Sequence, residues 1–164
     1  MDFKQYLEII EKKLQNNFDI EKNYKVGNYE FDLFAEYHLR TERYILLKKT
    51  VLDAIENNEY CFIKYFDNLT QQCLQTYINI LISFTDEIVN PDESHMSSMI
   101  TGVIVLDEQP NMEIIDTIKK FKYQKGFAFG FKGWVDIRLI LVTMNDEYIV
   151  TSKKGKEVRE VYGI

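Results

Sequence analysis

Apolar residues recur at helical spacing over residues 3–16, where Phe3, Tyr6, Leu7, Ile10 and Leu14 form one stripe and Glu8, Lys12 and Lys13 fall off it. That spacing predicts an amphipathic helix lying on a sheet. After Asn16-Asn17 the period drops to two. Tyr24 and Val26 precede Gly27-Asn28, and Tyr29, Phe31, Leu33, Ala35 and Tyr37 follow at every second position, which predicts two antiparallel strands with those five residues on one face. A further strand is expected over residues 43–49, a short helix over 51–57 and an apolar strand over 60–66.

Asp67-Asn68-Leu69-Thr70 is a helix-start signal, and residues 71–89 keep a broad apolar face with Leu74, Tyr77, Ile78, Leu81 and Phe84. This helix is expected to be the main cover of the sheet. The polar run Asn90-Pro91-Asp92-Glu93-Ser94 ends it, and residues 99–106 follow as a nearly continuous apolar strand, the pattern of a central strand buried on both faces. Pro110 suits the first turn of a helix bearing Ile114, Ile115, Ile118 and Phe121. A short strand ending at Val150 and a closing helix over 153–162, with Val158, Val161 and Tyr162 inward, complete the chain. Strand, helix, strand in this order indicates right-handed crossovers. The expected fold is α/β, or α+β: a single globular domain over residues 1–164 with a mixed sheet of six or seven strands, helices on its faces and a C-terminal β-hairpin.

The segment from Phe121 to Val142 carries the densest chemistry. If Lys132 and Gly133 form its turn, Phe131 pairs with Trp134, Phe129 with Asp136 and Phe127 with Arg138. One face is then aromatic with an acid and a base embedded in it, and Lys125 extends the charge. Lys125, Phe127, Phe129, Trp134, Asp136 and Arg138 form the candidate binding surface. Gly126, Ala128 and Gly130 form the side against which a helix packs, together with Val135, Ile137, Leu139 and Leu141. Asp136 and Arg138 read first as a self-satisfying ion pair, and alternatively as a patch where the guanidinium meets an anion beside stacking rings.

Charge sharpens this division. The net charge of −6 is unevenly spread. Residues 1–119 hold 11 Lys and Arg against 21 Asp and Glu, a balance of −10, whereas residues 120–164 hold 9 against 5, a balance of +4. The basic end could meet phosphate, but the acidic remainder opposes long-range attraction to a polyanion, so nucleic acid is the lesser reading of the partner and a homodimer the other. The turn Lys153-Lys154-Gly155-Lys156 reads as a solubilising cap that also extends the basic surface. Cys61 and Cys73 sit in apolar patterns without metal-ligand or redox spacing, which indicates free thiols and a reducing compartment. No apolar run reaches the length of a membrane span or a leader's core, so the expectation is a soluble, cytoplasmic protein without a membrane partner.

The strand over residues 29–38 places Glu30, Asp32, Phe34, Glu36 and His38 at even positions. Its acidic face reads as an ordinary solvated sheet surface, or as a divalent metal site using Asp32, Glu36 and His38. The helix-strand-strand-strand order with an acid on an early strand resembles the PD-(D/E)xK nuclease superfamily over residues 1–107. That resemblance implies Asp32 as the first acid, Lys48 or Lys64 as the catalytic lysine, Gln71, Gln72 or Gln75 as a helical glutamine, and Mg²⁺ as the only cofactor. Leu46 stands two residues before Lys48 and Phe62 two before Lys64, so neither lysine has its acid. The acid-x-lysine Glu11-Lys12-Lys13 falls in the first helix, away from the strands. A degenerate, non-cleaving relative is therefore expected. His95 stands alone in a polar run, and no nucleophile elbow, dinucleotide loop or P-loop occurs. The reading from sequence is a non-catalytic binding or interaction module working through its aromatic and basic C-terminal region. A metal-dependent nuclease-like enzyme is the alternative.

Overall fold

The computed structural model describes residues 1–44, 51–88, 95–127 and 133–164. The strands are β1 (Asp19–Val26), β2 (Tyr29–Tyr44), β3 (Val51–Tyr65), β4 (His95–Leu106), β5 (Tyr123–Gly126), β6 (Gly133–Thr143) and β7 (Ile149–Thr151). They form one mixed seven-stranded sheet in the order β1-β2-β3-β4-β6-β5, with β7 also on β6. β3, β4 and β6 run parallel, and every other pairing is antiparallel. Parallel neighbours need crossovers. Helix α2 (Gln71–Glu87) carries the chain from β3 to β4, and α3 (Met112–Lys120) with β5 carries it from β4 to β6.

Both crossover helices pack on one face, where Leu74, Tyr77, Leu81, Ile114 and Ile118 meet Phe62, Ile100, Ile104 and Leu139. Helix α1 (Phe3–Leu14) and Tyr162 of the short α4 (Arg159–Tyr162) cover the other face, over Leu33, Cys61, Val103 and Ile140. The helices start where side chains take up free amides: Asp2 accepts from Gln5 in a reciprocal capping box, Thr70 from Cys73, and Asn111 from Ile114. Pro110 thus precedes the N-cap of α3 instead of occupying its first turn. On the crossover side, the buried Tyr77 hydroxyl donates to the carbonyls of Phe62 and Val103 at 2.9 and 3.3 Å, tying α2 to two neighbouring strands.

The closing helix is short but faces as expected. A 3-10 helix (Lys154–Val158) leads into α4; Tyr162 is buried and Val158 and Val161 pack against the same cluster. Two other expectations are corrected. Residues 51–57 do not form a helix, because they open β3 and pair with β2 and β4. Nor does β2 keep one face throughout. Phe31 packs on the α2 side, whereas Leu33 and Ala35 pack on the α1 side. The break lies at Asp32, opposite Asn23, whose φ of 53° interrupts the pleat of β1. Tyr24 follows Phe31 to the α2 side, and the Asp32 carboxylate accepts from the Tyr65 amide at 2.8 Å.

Close approach of α2 to β4 requires Gly102, where a Cβ would lie 2.5 Å from Leu81 Cδ1 and 2.9 Å from the Tyr77 hydroxyl. Gly102→Ala should destabilise the fold by roughly 1–3 kcal/mol, the usual range for overpacking, measured as a lower urea midpoint with an unchanged slope. An unchanged midpoint would mean that Leu81 yields without cost. Burial pushes the Cys61 thiol up to about 12. A raised folded pKa means that the unfolded chain loses its thiol proton first, so this contribution is full below the free-thiol value near 8.5 and is lost as pH rises from there to about 12. In native protein at pH 8, a thiol reagent should modify the half-buried Cys73 and spare Cys61.

Candidate functional site

The site is built around β6, and its register differs from the one the sequence suggests. Tyr123 pairs with Ile137, Gln124 with Asp136, Lys125 with Val135 and Gly126 with Trp134, and the Phe127 amide donates to the Gly133 carbonyl. Relative to a turn at Lys132-Gly133, the pairing is shifted by five residues, an odd number, which exchanges the faces of one strand relative to the other. Gly133 lies inside β6 at φ 107°, so close to the Met96 carbonyl that only glycine fits. The composite aromatic and charged face is therefore not formed. Lys125 and Phe127 lie on the α2 side, where the ammonium pairs with Asp86 and stands 5.7 Å from the Phe127 ring centre. Trp134, Asp136 and Arg138 lie on the α1 side. Phe129 falls outside the described residues.

Asp136 and Arg138 do not pair with each other, although both are almost wholly buried, at 4% and 3% exposure. The Arg138 Nε donates to Thr101 Oγ1 at 2.7 Å, and its two terminal nitrogens meet Glu59 at 3.3 Å and Glu157 at 3.5 Å. Asp136 accepts from Gln124 Nε2 at 3.0 Å and from Lys154 at 3.4 Å. Lys154 and Glu157 both belong to the 3-10 helix, so that helix is held to β6 by two ion pairs of opposite sense. Burial raises the pKa values of the nearby Cys61 thiol and Tyr162 hydroxyl, and the Arg138 charge partly offsets those shifts.

Beside this cluster the surface is basic. A cleft of about 830 Å³ is lined by Lys119, Lys153, Lys156 and Arg159 with Tyr148 and the residues of β7, and among the described residues no acid lines it. A second, of about 510 Å³, shares Lys119 and Lys153 and adds Lys120, Lys122, Lys154 and Tyr123, with Asp136 and Glu157 in its wall. Those two acids already hold Lys154 and Arg138. Lys119, Lys120, Lys122, Lys153, Lys156 and Arg159 have no ion-pair partner among the described residues. The dipole of α3 favours lysines at its C-terminus and so accounts for Lys119 and Lys120. It does not account for the other four.

The residues singled out for metal or nuclease chemistry are separated. Glu36 and His38 meet at 3.2 Å, and the other imidazole nitrogen contacts Asn58 at 2.7 Å. Asp32 is turned to the Tyr65 amide. Lys64 donates to the Glu30 carbonyl at 2.7 Å and stands over the Tyr29 and Phe66 rings. Lys48 falls outside the described residues. Among the described residues no group of three or more His, Cys, Asp and Glu could hold a metal ion. The expected file of three carboxylates and an imidazole is broken at Asp32, where the pleat of β2 changes face, and Phe34 within it is buried in the core.

A family model described as a domain of unknown function, DUF8052, matches residues 2–164. The chain belongs to the DUF8052 family. No curated protein and no solved structure matches it. No described helix is long and apolar enough to cross a membrane.

For this DUF8052 chain, sequence reading missed Glu59, Thr101 and Glu157 as partners of Arg138, because they come from three other elements. It also missed the cleft, although the +4 balance of residues 120–164 and the Lys153-Lys154-Gly155-Lys156 turn were its signals. The double substitution Glu59→Gln with Glu157→Gln leaves Arg138 buried without a counter-charge. It should lower stability by about 2–3 kcal/mol in urea titration, below the full cost of breaking a buried pair because both carboxylates are partly solvated, at 46% and 58% side-chain exposure. Arg138→Met, which removes the buried charge itself, should cost less. The reverse order would show that packing of the arginine stem dominates.

Proposed function

We propose that this domain is a binding module, with no catalytic centre of its own, that takes an anionic group into the basic clefts between the C-terminus of α3, β7 and the 3-10 helix. The observation that carries this reading is the set of six cations lining two adjoining clefts without ion-pair partners among the described residues. Like charges held side by side repel one another, and an anion entering the cleft relieves that repulsion. Arg138 takes part indirectly: it anchors the 3-10 helix, which carries Lys154 and Lys156 and is flanked by Lys153 and Arg159. The aromatic contribution is smaller than the sequence suggests, with Tyr123 and Tyr148 at the clefts and Trp134, 38% exposed, on the α1-side surface of β6.

The ligand is a compact anion or a short anionic segment. An acidic balance of −10 over residues 1–119 disfavours a long nucleic acid. No observation favours the nuclease-like reading, since Asp32 and Lys64 are engaged with separate backbone groups. Inorganic tripolyphosphate is a suitable probe. Calorimetry at 50 mM salt should detect its binding, the affinity should fall as salt rises, and Lys153→Glu with Lys156→Glu should weaken it at least about tenfold, or 1.4 kcal/mol. Equal affinity of the folded double variant and the parent would overturn the assignment of the cleft.

A further inference from the structure

β5 and β7 lie on the same edge of β6, because β4 occupies the other edge along the whole strand, from Met96 opposite Gly133 to Leu106 opposite Thr143. β7 pairs with residues 140–142 and β5 with residues 134–137, so the two run end to end in one direction with a break opposite Arg138 and Leu139. The ladder shows which backbone groups are committed. Thr143 donates to the Tyr148 carbonyl and Ser152 to the Leu139 carbonyl, each at 2.9 Å. Residues 148, 150 and 152 therefore face β6, and the amides and carbonyls of Ile149 and Thr151 point away from it. By the same alternation, set by the Phe127 to Gly133 bond, the backbone groups of Gln124 and Gly126 point outward from β5. No described residue satisfies the outward groups of Ile149 and Thr151, and both residues line the larger basic cleft.

We infer that the anionic ligand is an extended acidic polypeptide segment that adds as a strand to the outer edge of β7, with its carboxylates reaching the lysines and arginine of the cleft. This rests on the anion-binding reading above and specifies its partner. An open edge is a template for another chain, and main-chain bonds supply affinity while side-chain pockets supply selectivity. Here the flanking charge decides the occupant. A second copy of the same edge would bring Lys119, Lys153, Lys156 and Arg159 against themselves, so self-pairing is opposed and an acidic strand is favoured. From Ile149 to Gly126 the composite edge covers about nine positions of β6, roughly 30 Å at strand rise, which matches a peptide of eight or nine residues.

The test uses a fluorescein-labelled eight-residue peptide alternating Glu and Val, two versions N-methylated at every second amide in opposite registers, and tripolyphosphate as a charge-only probe. The expected result is salt-sensitive binding of the parent peptide, a loss of at least about tenfold on N-methylation in one register and not in the other, because only alternate amides of an added strand face β7, and a loss of similar size with Thr151→Pro, which removes one outward amide. Thermal melting checks that the variant folds; if it does not, the N-methyl comparison on the parent protein decides alone. Equal binding of methylated and unmethylated peptides overturns strand addition and leaves the anion-binding cleft standing. Binding of tripolyphosphate without the peptide does the same. Binding of neither probe overturns both.

Discussion

A guanidinium buried to 3% exposure must find all its solvation inside the protein, and the C-terminal third of this fold is arranged around that requirement at Arg138. β4 supplies Thr101, β3 supplies Glu59 and the 3-10 helix supplies Glu157. The same 3-10 helix is tied to β6 at two points, because Lys154 meets the Asp136 carboxylate at 3.4 Å and Glu157 meets Arg138 at 3.5 Å. The chain relaxes to α-helix only after Val158, beyond the second contact.

β6 imposes the other constraint. Its parallel pairing with β4 along its length leaves a single free edge, and β5 and β7 must divide that edge between them. The break falls opposite Arg138 and Leu139, where the Ser152 side chain accepts the Leu139 amide and the Ser152 amide returns a bond to its carbonyl. Chain leaving α3 and chain leaving β7 converge on this break, bringing Lys119, Lys120 and Lys122 to face Lys153 and Lys154. The basic clefts are thus a consequence of topology joined to sequence, since neither lysine group is concentrated enough alone.

The parts of this architecture that were legible in the sequence are those decided by local chemistry. The stripe of α1, the Thr70 start of α2, the Gly27-Asn28 turn and the doubly buried β4 each follow from a few adjacent residues, and the mixed sheet follows from their order. Non-local decisions were not legible. Residues 51–57 look helical in isolation, but pairing with strands on both sides makes them extended. The even positions of β2 suggest one acidic face, yet a single left-handed residue on the neighbouring strand, Asn23, changes the face at Asp32. At β5 and β6 the sequence identified the two strands and mistook their register. A tight turn at Lys132-Gly133 was plausible until the close approach of Met96 placed Gly133 inside the strand.

The same slip clarifies what the buried charges are for. Had Asp136 and Arg138 shared an aromatic face with Phe127, they would have been candidates for direct contact with a ligand. Each instead holds a residue of the 3-10 helix, and the cations left over on that helix and its flanks, Lys153, Lys156 and Arg159, face the cleft. Neutralising the strand charges inward allows surface charges of one sign to accumulate outward. Loss of the Glu157 contact would therefore act on the larger cleft, which Glu157 does not line, by freeing the segment that carries its lysines.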